Sequence, residues 1–240
     1  EGFSAGLERR EIGKEFGITP SGDKEGPQGV RVQTRKEFLD LLTPLWPLLT
    51  ELFGEEPEIP KVVQLAFGMP EGSLEADFEG RPDLRPGTEY HIDGRGRIPN
   101  DFALLVGIAL SAPPPQSKSW GALAVFPRSH RNQEFLKAYP TFNGLVAERK
   151  DLGMPVHVEL HPGDVVLAHS LLAHRRAENW SEAVRYQVYF RLRPKRASKD
   201  KAWQAGVPAD PFAALPGLKR RLNSETANEA AIDSSEEPKK

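Results

Sequence analysis

Two side chains that bind metals stand one residue apart in the stretch TEYHIDGRGR, residues 88–97. His91 offers an imidazole and Asp93 a carboxylate. If the residues around them form a strand, side chains two positions apart point to the same face, so both donors aim at one point. Gly94 follows at once and indicates that the strand ends there, at the rim of a sheet. The spacing predicts two ligands of a metal site, and a solvated turn is the alternative if no third ligand exists.

A third ligand has to come from elsewhere in the chain, and the 6 histidines supply the candidates. His169 and His174 both lie far along the chain from Asp93, in and just after the segment DVVLAH. His157-Val158-Glu159 is a rival pair with the same spacing as His91 and Asp93. Its later imidazoles, on His161, His169 and His174, follow within 17 residues, which is tight for a site assembled from opposite ends of a barrel. We therefore expect His157 and His161 to be surface or rim residues.

The segment VRYQVYFRLR, residues 184–193, carries a charge that needs an explanation. On a strand, Arg185, Gln187 and Tyr189 share one face and alternate with apolar residues. An arginine on a half-buried strand is costly without an anion. Arg185 either pairs with a nearby glutamate at a sheet edge or holds the carboxylate of a ligand through its guanidinium fork.

The elements that must position these residues are short strands. β-Branched and aromatic residues, separated by Gly, Pro and Asp, predict seven strands between Lys61 and Arg193. They are residues 62–67, 88–92, 102–110, 121–126, 156–160, 164–169 and 184–193. Only residues 132–149 look helical in between. The lack of regular βαβ alternation disfavours a doubly wound parallel sheet, and a mainly β (α+β) fold, a sandwich or jelly roll, is predicted.

The flanking regions predict three parts of the chain. Residues 1–33 are charged and rich in glycine, which indicates an extended arm. Residues 34–197 form the predicted domain, which opens with an amphipathic helical cover that Pro44 and Pro47 kink and Gly54 ends. Residues 198–240 finish in a polar, aromatic-free run and predict a disordered tail.

Composition excludes several classes. The 240 residues contain no cysteine, so disulfides, zinc–thiolate sites and cysteine nucleophiles are excluded. A formal net charge of −2 gives no reason to expect nucleic acid as a partner. No apolar run reaches the roughly 20 residues that span a bilayer. We expect a cytoplasmic protein acting on a small molecule, while the first residue, Glu1, leaves open a preceding targeting segment.

The order of motifs over residues 60–193 resembles the Fe(II)/2-oxoglutarate oxygenases of the phytanoyl-CoA dioxygenase type. The matching text is HIDG, LLVGIALS, GALAVFPRSH and PGDVVLAHSLLAHRRAENWSEAVRYQVYFRL. The resemblance implies a double-stranded β-helix, a cupin-like jelly roll, with iron on His91, Asp93 and His174. It also implies that Arg185, eleven residues after His174, binds the far carboxylate of 2-oxoglutarate. The resemblance thus favours His174 over His169.

Further expectations follow from the resemblance. Gln64 and Tyr189 are candidates for additional contacts with 2-oxoglutarate. The turn PRSH, residues 127–130, has Arg128 where the family has glycine, and His130 is expected to stabilise that turn rather than bind the metal.

The implied reaction uses Fe(II), 2-oxoglutarate and dioxygen, with ascorbate as a candidate stimulant, and releases succinate and CO2. Two imidazoles and one carboxylate leave about three iron positions open for the keto acid and dioxygen. Related halogenases carry a small residue in place of the carboxylate, so Asp93 favours a hydroxylase of a small organic molecule. The alternatives are a non-catalytic relative and a metal-binding cupin that does not use 2-oxoglutarate. Intact metal-ligand candidates speak against the first, and the absence of a His-x-His pattern speaks against the second.

Overall fold

The computed structural model describes residues 30–33, 36–68, 70, 90–93, 102–114, 120–138, 152–195 and 210–224. The predicted strand at residues 88–92 is represented by an isolated β-bridge at His91, and residues 88–89 lie outside the described part. The predicted helix at 132–149 is present as α3 (Gln133–Ala138), beyond which the description stops until residue 152.

The helical cover has the predicted interruptions. It consists of α1 (Lys36–Leu39), a 3-10 helix (Asp40–Leu45) that contains Pro44, and α2 (Trp46–Phe53). Proline has no amide hydrogen to donate and fits the first turn of a helix, which is where Pro47 lies in α2. Gly54 ends α2 with φ of +69°, a left-handed conformation that glycine adopts without strain.

The larger of two sheets has five strands. They are β1 (Val30–Gln33), β2 (Val63–Gly68), β3 (Leu104–Ala109), β6 (Val165–His169) and β8 (Arg185–Leu192). The strands run antiparallel in the order β1-β2-β8-β3-β6. Residues 30–33, which end the extended arm predicted from the sequence, pair with β2, and residues 1–29 lie outside the described part.

The smaller sheet has three strands, β4 (Leu123–Val125), β5 (Val156–Val158) and β7 (His174–Arg176). They pair antiparallel in the order β5-β4-β7. Contacts join the sheets: the position that a Cβ of Gly68 in β2 would occupy lies 3.7 Å from Cδ of Arg176 in β7. Two antiparallel sheets in contact, with helices outside, agree with the predicted mainly β fold.

The main core lies between the larger sheet and the helices. Val188, Phe190 and Leu192 alternate along β8 and are fully buried against the helical cover. The other face of β8 carries Arg185 and its same-face neighbours, which point between the sheets. The alternation of β8 thus separates a structural face from a polar interior face.

Residues 210–224 depart from the disordered tail predicted from residue 198. They form a turn followed by helix α4 at residues 216–224, with Leu215 fully buried in the main core. Gly217 lies against the backbone of α2: a Cβ at this position would meet the carbonyl of Glu51 and lie 3.0 Å from Cα of Leu52. The apolar residues of this segment bury enough surface to dock it, and residues 225–240 lie outside the described part.

None of the helices in the described ranges has both the length and the apolar character needed to cross a membrane.

Candidate metal and carboxylate site

Backbone pairing brings His91 and His174 side by side. The amide of each donates to the carbonyl of the other, with both N···O distances 2.9 Å. On its other side, β7 pairs with β4, where Val125 lies opposite His174. The segment around His91 therefore continues the smaller sheet by one bridge, and the imidazole centroids are 4.7 Å apart.

Asp93 completes a group of three potential donors. Its Oδ1 lies 3.5 Å from Nε2 of His91 and 3.9 Å from Nε2 of His174. One ligand atom from each residue falls within 4.8 Å of the others. Donors bound at about 2.1 Å to one ion are at most about 4.2 Å apart, so the separations measured to Asp93 fit a shared metal. The structure thus brings together the three residues that the sequence put forward.

The imidazole of His174 has the protonation state that a metal ligand needs. Its Nδ1 donates to the carbonyl of Leu172 at 2.8 Å, which directs the Nε2 lone pair toward Asp93. Burial lowers the pKa of His174, and neighbouring His91 lowers it further. A neutral ring with a fixed tautomer is the form in which histidine binds metals.

The carboxylate of Asp93 is held in its charged form. Burial alone would raise its pKa, but the hydrogen bond with His91 and the charge of neighbouring Arg191 outweigh burial and hold the pKa well below its usual range. Nη2 of Arg191 lies 2.8 Å from Oδ2 of Asp93. The period-two alternation that places Arg185, Gln187 and Tyr189 on one face of β8 includes Arg191 as well.

A second polar group surrounds Arg185. Its side chain is 3% exposed and donates to Oε1 of Gln187, which is 1% exposed. Tyr189 is hydrogen-bonded to Arg185 as well; burial raises the pKa of Tyr189 and Arg185 opposes that rise. No carboxylate pairs with Arg185 among the described residues, and Nε2 of Gln187 is buried there without a hydrogen-bond partner. Gln187, not predicted from the sequence, belongs to this cluster.

Gln64 and Tyr189 take different positions relative to this cluster. Gln64 lies in β2 directly opposite Tyr189 in β8, so the two side chains share a face of the sheet. Tyr189 is hydrogen-bonded to Arg185, whereas Gln64 lies on the neighbouring strand β2, opposite Tyr189. The structure brings both to the interior face and does not test their predicted roles.

Gly107 has no side chain at the point where the Arg185 cluster approaches β3. It pairs with Tyr189 in β8 and Val166 in β6. A Cβ on Gly107 would lie 2.6 Å from Cε1 of Tyr189, 2.8 Å from Cγ1 of Val166 and 2.9 Å from Nε2 of Gln187. A glycine in the middle of a strand marks a close approach of other groups, here the approach of the Arg185 partners.

The remaining histidines lie apart from the three donors. His169 accepts the amide of Leu171 at Nδ1 and donates from Nε2 to the carbonyl of Pro211, at 3.0 and 2.6 Å. Both of its ring nitrogens are therefore engaged away from Asp93. His130 stacks on His169 with centroids 5.0 Å apart. His157 and His161 are exposed, in agreement with their predicted place at the rim.

The turn PRSH contains a non-glycine residue in the left-handed backbone conformation. Arg128 has φ of +65° and is the one non-glycine residue with positive φ in the described part of the chain. Ser129 is 1% exposed and its Oγ accepts the amide of Ala173 at 2.9 Å. This bond ties the turn to the residue before β7, so the turn helps to place His174.

Asn179 is a buried polar residue near the Arg185 cluster. It is 0% exposed, and its Nδ2 donates to the carbonyls of Gly68 and Ala183, each at 2.8 Å. It connects the end of β2 to the loop before β8. Asn179 thus fixes the two strand ends beside Arg185.

Residues 90–186 match the family model described as phytanoyl-CoA dioxygenase (PhyH). Over these residues the chain is similar to the phytanoyl-CoA dioxygenase family. The matched segment contains the three donor residues and Arg185, and it agrees with the resemblance found in the sequence. No curated protein sequence matches the chain.

Several solved structures are similar in fold. SnoK, a non-heme alpha ketoglutarate dependent carbocyclase from nogalamycin biosynthesis, has a TM-score of 0.52 and 21% identity, with 83% of this chain and 81% of SnoK covered. EctD from S. alaskensis with bound Fe has a TM-score of 0.48 and 18% identity, with 81% of this chain and 69% of EctD covered. The chain spans 44% of EvdMO1, at a TM-score of 0.48, 19% identity and 80% coverage of this chain. The similarity to SnoK confirms the double-stranded β-helix that the family resemblance implied.

Proposed function

We propose that this protein is a non-haem Fe(II)- and 2-oxoglutarate-dependent dioxygenase that hydroxylates a small organic molecule and releases succinate and CO2. The observation that carries the proposal is the convergence of His91, Asp93 and His174 within 4.8 Å, beside a buried arginine that has no carboxylate partner among the described residues. The match to the phytanoyl-CoA dioxygenase family supports the same conclusion.

His91, Asp93 and His174 are the residues that would hold Fe(II). Two neutral imidazoles and one carboxylate suit Fe(II) and leave positions on the metal open. When bound, the iron supplies the oxidising chemistry that couples decarboxylation of 2-oxoglutarate by dioxygen to attack on a C–H bond. The protein's part is to hold the donors: the paired backbone fixes the two histidines, and hydrogen bonds fix the His174 ring.

Arg185 would bind the far carboxylate of 2-oxoglutarate. Burying a guanidinium without an anion is costly, and a ligand carboxylate would offset that cost through a charge-assisted bidentate contact. Nε2 of Gln187 and the hydroxyl of Tyr189 are additional donors within the same cluster. Gln64, opposite Tyr189, would border the same ligand.

Hydroxylation is the reaction we favour, because the carboxylate of Asp93 occupies the place that related halogenases leave to a small residue. The substrate would approach from the side of His91, whose side chain is 33% exposed, while those of Asp93 and His174 are 12% and 13% exposed. We assign the catalytic domain to residues 34–197, extended by β1 and by residues 210–224, which pack on it.

The test is succinate formation from 2-oxoglutarate with Fe(II), ascorbate and air, without added substrate. We expect slow turnover by the wild type and none above background by Asp93→Ala or Arg185→Ala. Asp164→Ala and Arg193→Ala are the matched controls, since each removes an exposed charge outside the site, and both should retain turnover. Turnover that persists in Asp93→Ala would contradict the proposal.

A silent wild type requires a second measurement. If the anaerobic Fe(II) protein then binds 2-oxoglutarate with the visible charge-transfer band of a chelated keto acid, the enzyme requires its substrate for turnover and the proposal stands. If iron is bound and no band forms, the protein is a metal-binding relative that does not use 2-oxoglutarate.

A further inference from the structure

Arg191, near the end of β8, forms an ion pair with Asp93 from a distant segment of the chain. Its Nη2 lies 2.8 Å from Oδ2 of Asp93, although the two residues are 98 positions apart in the chain. The guanidinium also lies over the ring of Phe102, with Cζ 5.3 Å from the centroid, and Phe102 is 1% exposed. Arg191 is therefore held from two sides rather than extended into solvent.

The contacts divide the two carboxylate oxygens of Asp93 between different partners. Oδ1 faces Nε2 of His91 at 3.5 Å and Nε2 of His174 at 3.9 Å, while Oδ2 accepts from Arg191. A carboxylate without such a partner can turn about its terminal torsion, which is broad. The arginine fork restricts that rotation, because its donors are planar and its position is set by β8 and Phe102.

We propose that Arg191 is a positioning residue of the candidate metal centre, which holds Oδ2 of Asp93 so that Oδ1 alone is presented between the two imidazoles. The inference rests on the proposed function, since it assumes that His91, Asp93 and His174 bind a metal. With Oδ2 engaged by Arg191, Asp93 would offer a metal only Oδ1 as a donor. The remaining positions would be left to the cosubstrate and dioxygen.

Electrostatics alone predicts the opposite effect on metal affinity. The guanidinium repels a nearby metal ion and draws charge from its carboxylate ligand, so its removal would tighten metal binding if charge were its main contribution. If orientation is the main contribution, removing it weakens binding instead. Partners that orient metal ligands typically contribute about 10- to 100-fold in affinity or activity.

The experiment measures Mn(II) affinity of the full chain by calorimetry for the wild type, Arg191→Met, Arg191→Lys and Arg193→Met. Methionine keeps an apolar chain against Phe102 and removes the donors. Arg193→Met is the matched control, because Arg193 pairs with Glu58 at 3.4 Å, and the variant removes the same charge from the end of the same strand. Thermal unfolding of each variant without metal measures any structural role separately.

We expect Arg191→Met to bind Mn(II) about 10- to 100-fold more weakly than the wild type, and Arg193→Met to bind within about twofold of it. Arg191→Lys should fall between the wild type and Arg191→Met, because lysine offers a point charge without the fork. Affinity in Arg191→Met equal to or tighter than that of the wild type would overturn the proposal, even if the variant unfolds at a lower temperature.

Two further outcomes are separable. If Arg191→Met does not fold, Arg191→Lys decides: affinity weakened by about threefold or more supports the proposal, and unchanged affinity overturns it. If the wild type itself binds no Mn(II), Co(II) or Fe(II), the proposed function fails, and the inference about Arg191 fails with it. Metal binding by the wild type with an unaffected Arg191→Met refutes the inference alone.

Discussion

Replacing Gly107 with alanine tests whether the space in the middle of β3 serves the Arg185 cluster. The added Cβ would lie 2.6 Å from Tyr189, 2.8 Å from Val166 and 2.9 Å from Gln187, measured to the nearest atom of each side chain. Carbon atoms pack at about 3.5–4.0 Å, so Tyr189 has to move by roughly 0.9 Å. Overpacking of this kind costs about 1–3 kcal/mol of stability.

The displacement has a functional consequence because two of the three side chains are partners of Arg185. Gln187 accepts a hydrogen bond from Arg185, and Tyr189 is hydrogen-bonded to Arg185. Displacing these side chains would therefore shift the guanidinium or break its hydrogen bonds. A misplacement of about 1 Å in a binding group can cost about 100-fold. We expect Gly107→Ala to need 10- to 100-fold more 2-oxoglutarate, on the order of that estimate.

The assay is an anaerobic titration of 2-oxoglutarate into the Fe(II) protein, with Mn(II) affinity and thermal unfolding measured in parallel. Mn(II) affinity should stay within about twofold of the wild type, because Gly107 contacts none of the three donor residues. Gly153→Ala is the control: its φ of +75° strains alanine, but nothing lies within 4 Å of the added Cβ. The reasoning is refuted if Gly107→Ala binds 2-oxoglutarate like the wild type, or loses no more affinity than Gly153→Ala.

Two predictions concern the other side of the fold. Burial, His169 and Arg131 lower the pKa of His130 to about 3, so the unfolded state binds the extra proton below about pH 6.5, and this contribution to stability is lost as the pH falls from there. We expect the free energy of unfolding, measured with denaturant at pH 6.5 and 5, to fall by about 2 kcal/mol less in His130→Phe than in the wild type, because phenylalanine keeps a ring and cannot titrate. Equal falls in the two proteins would show that His130 does not contribute. Leu215→Ala should lower the free energy of unfolding by about 2–5 kcal/mol, because Leu215 is fully buried in the main core, whereas Leu218→Ala, at a half-buried position, should cost less. Equal stability of Leu215→Ala and the wild type would mean that residues 210–224 do not dock in solution.

The parts of the site that the sequence predicted depend on local spacing. His91 and Asp93 are two residues apart, and the structure places both donors on one side of the backbone, although the surrounding residues form a bridge rather than a full strand. Choosing His174 over His169 needed the family spacing to Arg185. In the structure His169 is engaged with Pro211, whereas Nε2 of His174 lies 3.9 Å from Oδ1 of Asp93.

The parts that the sequence did not predict depend on contacts between distant segments. Arg191 follows the alternation of β8, so its face was predictable, but its partner Asp93 is 98 positions away and no local pattern joins them. Gln187 was on the predicted face, yet its buried amide becomes meaningful only beside Arg185.

The docking of residues 210–224 had a weak signal in the sequence. Phe212, Leu215 and Leu218 are spaced by three, which is compatible with one face of a helix. The polar run that ends the chain outweighed this short apolar pattern in the prediction. Docking of such a segment also requires a complementary surface on α2, and the composition of the segment gives no information about that surface.

The most direct test of the central claim is to add 2-oxoglutarate to the anaerobic Fe(II)-loaded wild type and record the visible absorption spectrum. The account predicts a charge-transfer band that saturates with one equivalent of 2-oxoglutarate per bound iron, is absent in Asp93→Ala and needs far more 2-oxoglutarate in Arg185→Ala. Iron bound by the wild type with no band at any 2-oxoglutarate concentration would contradict the account.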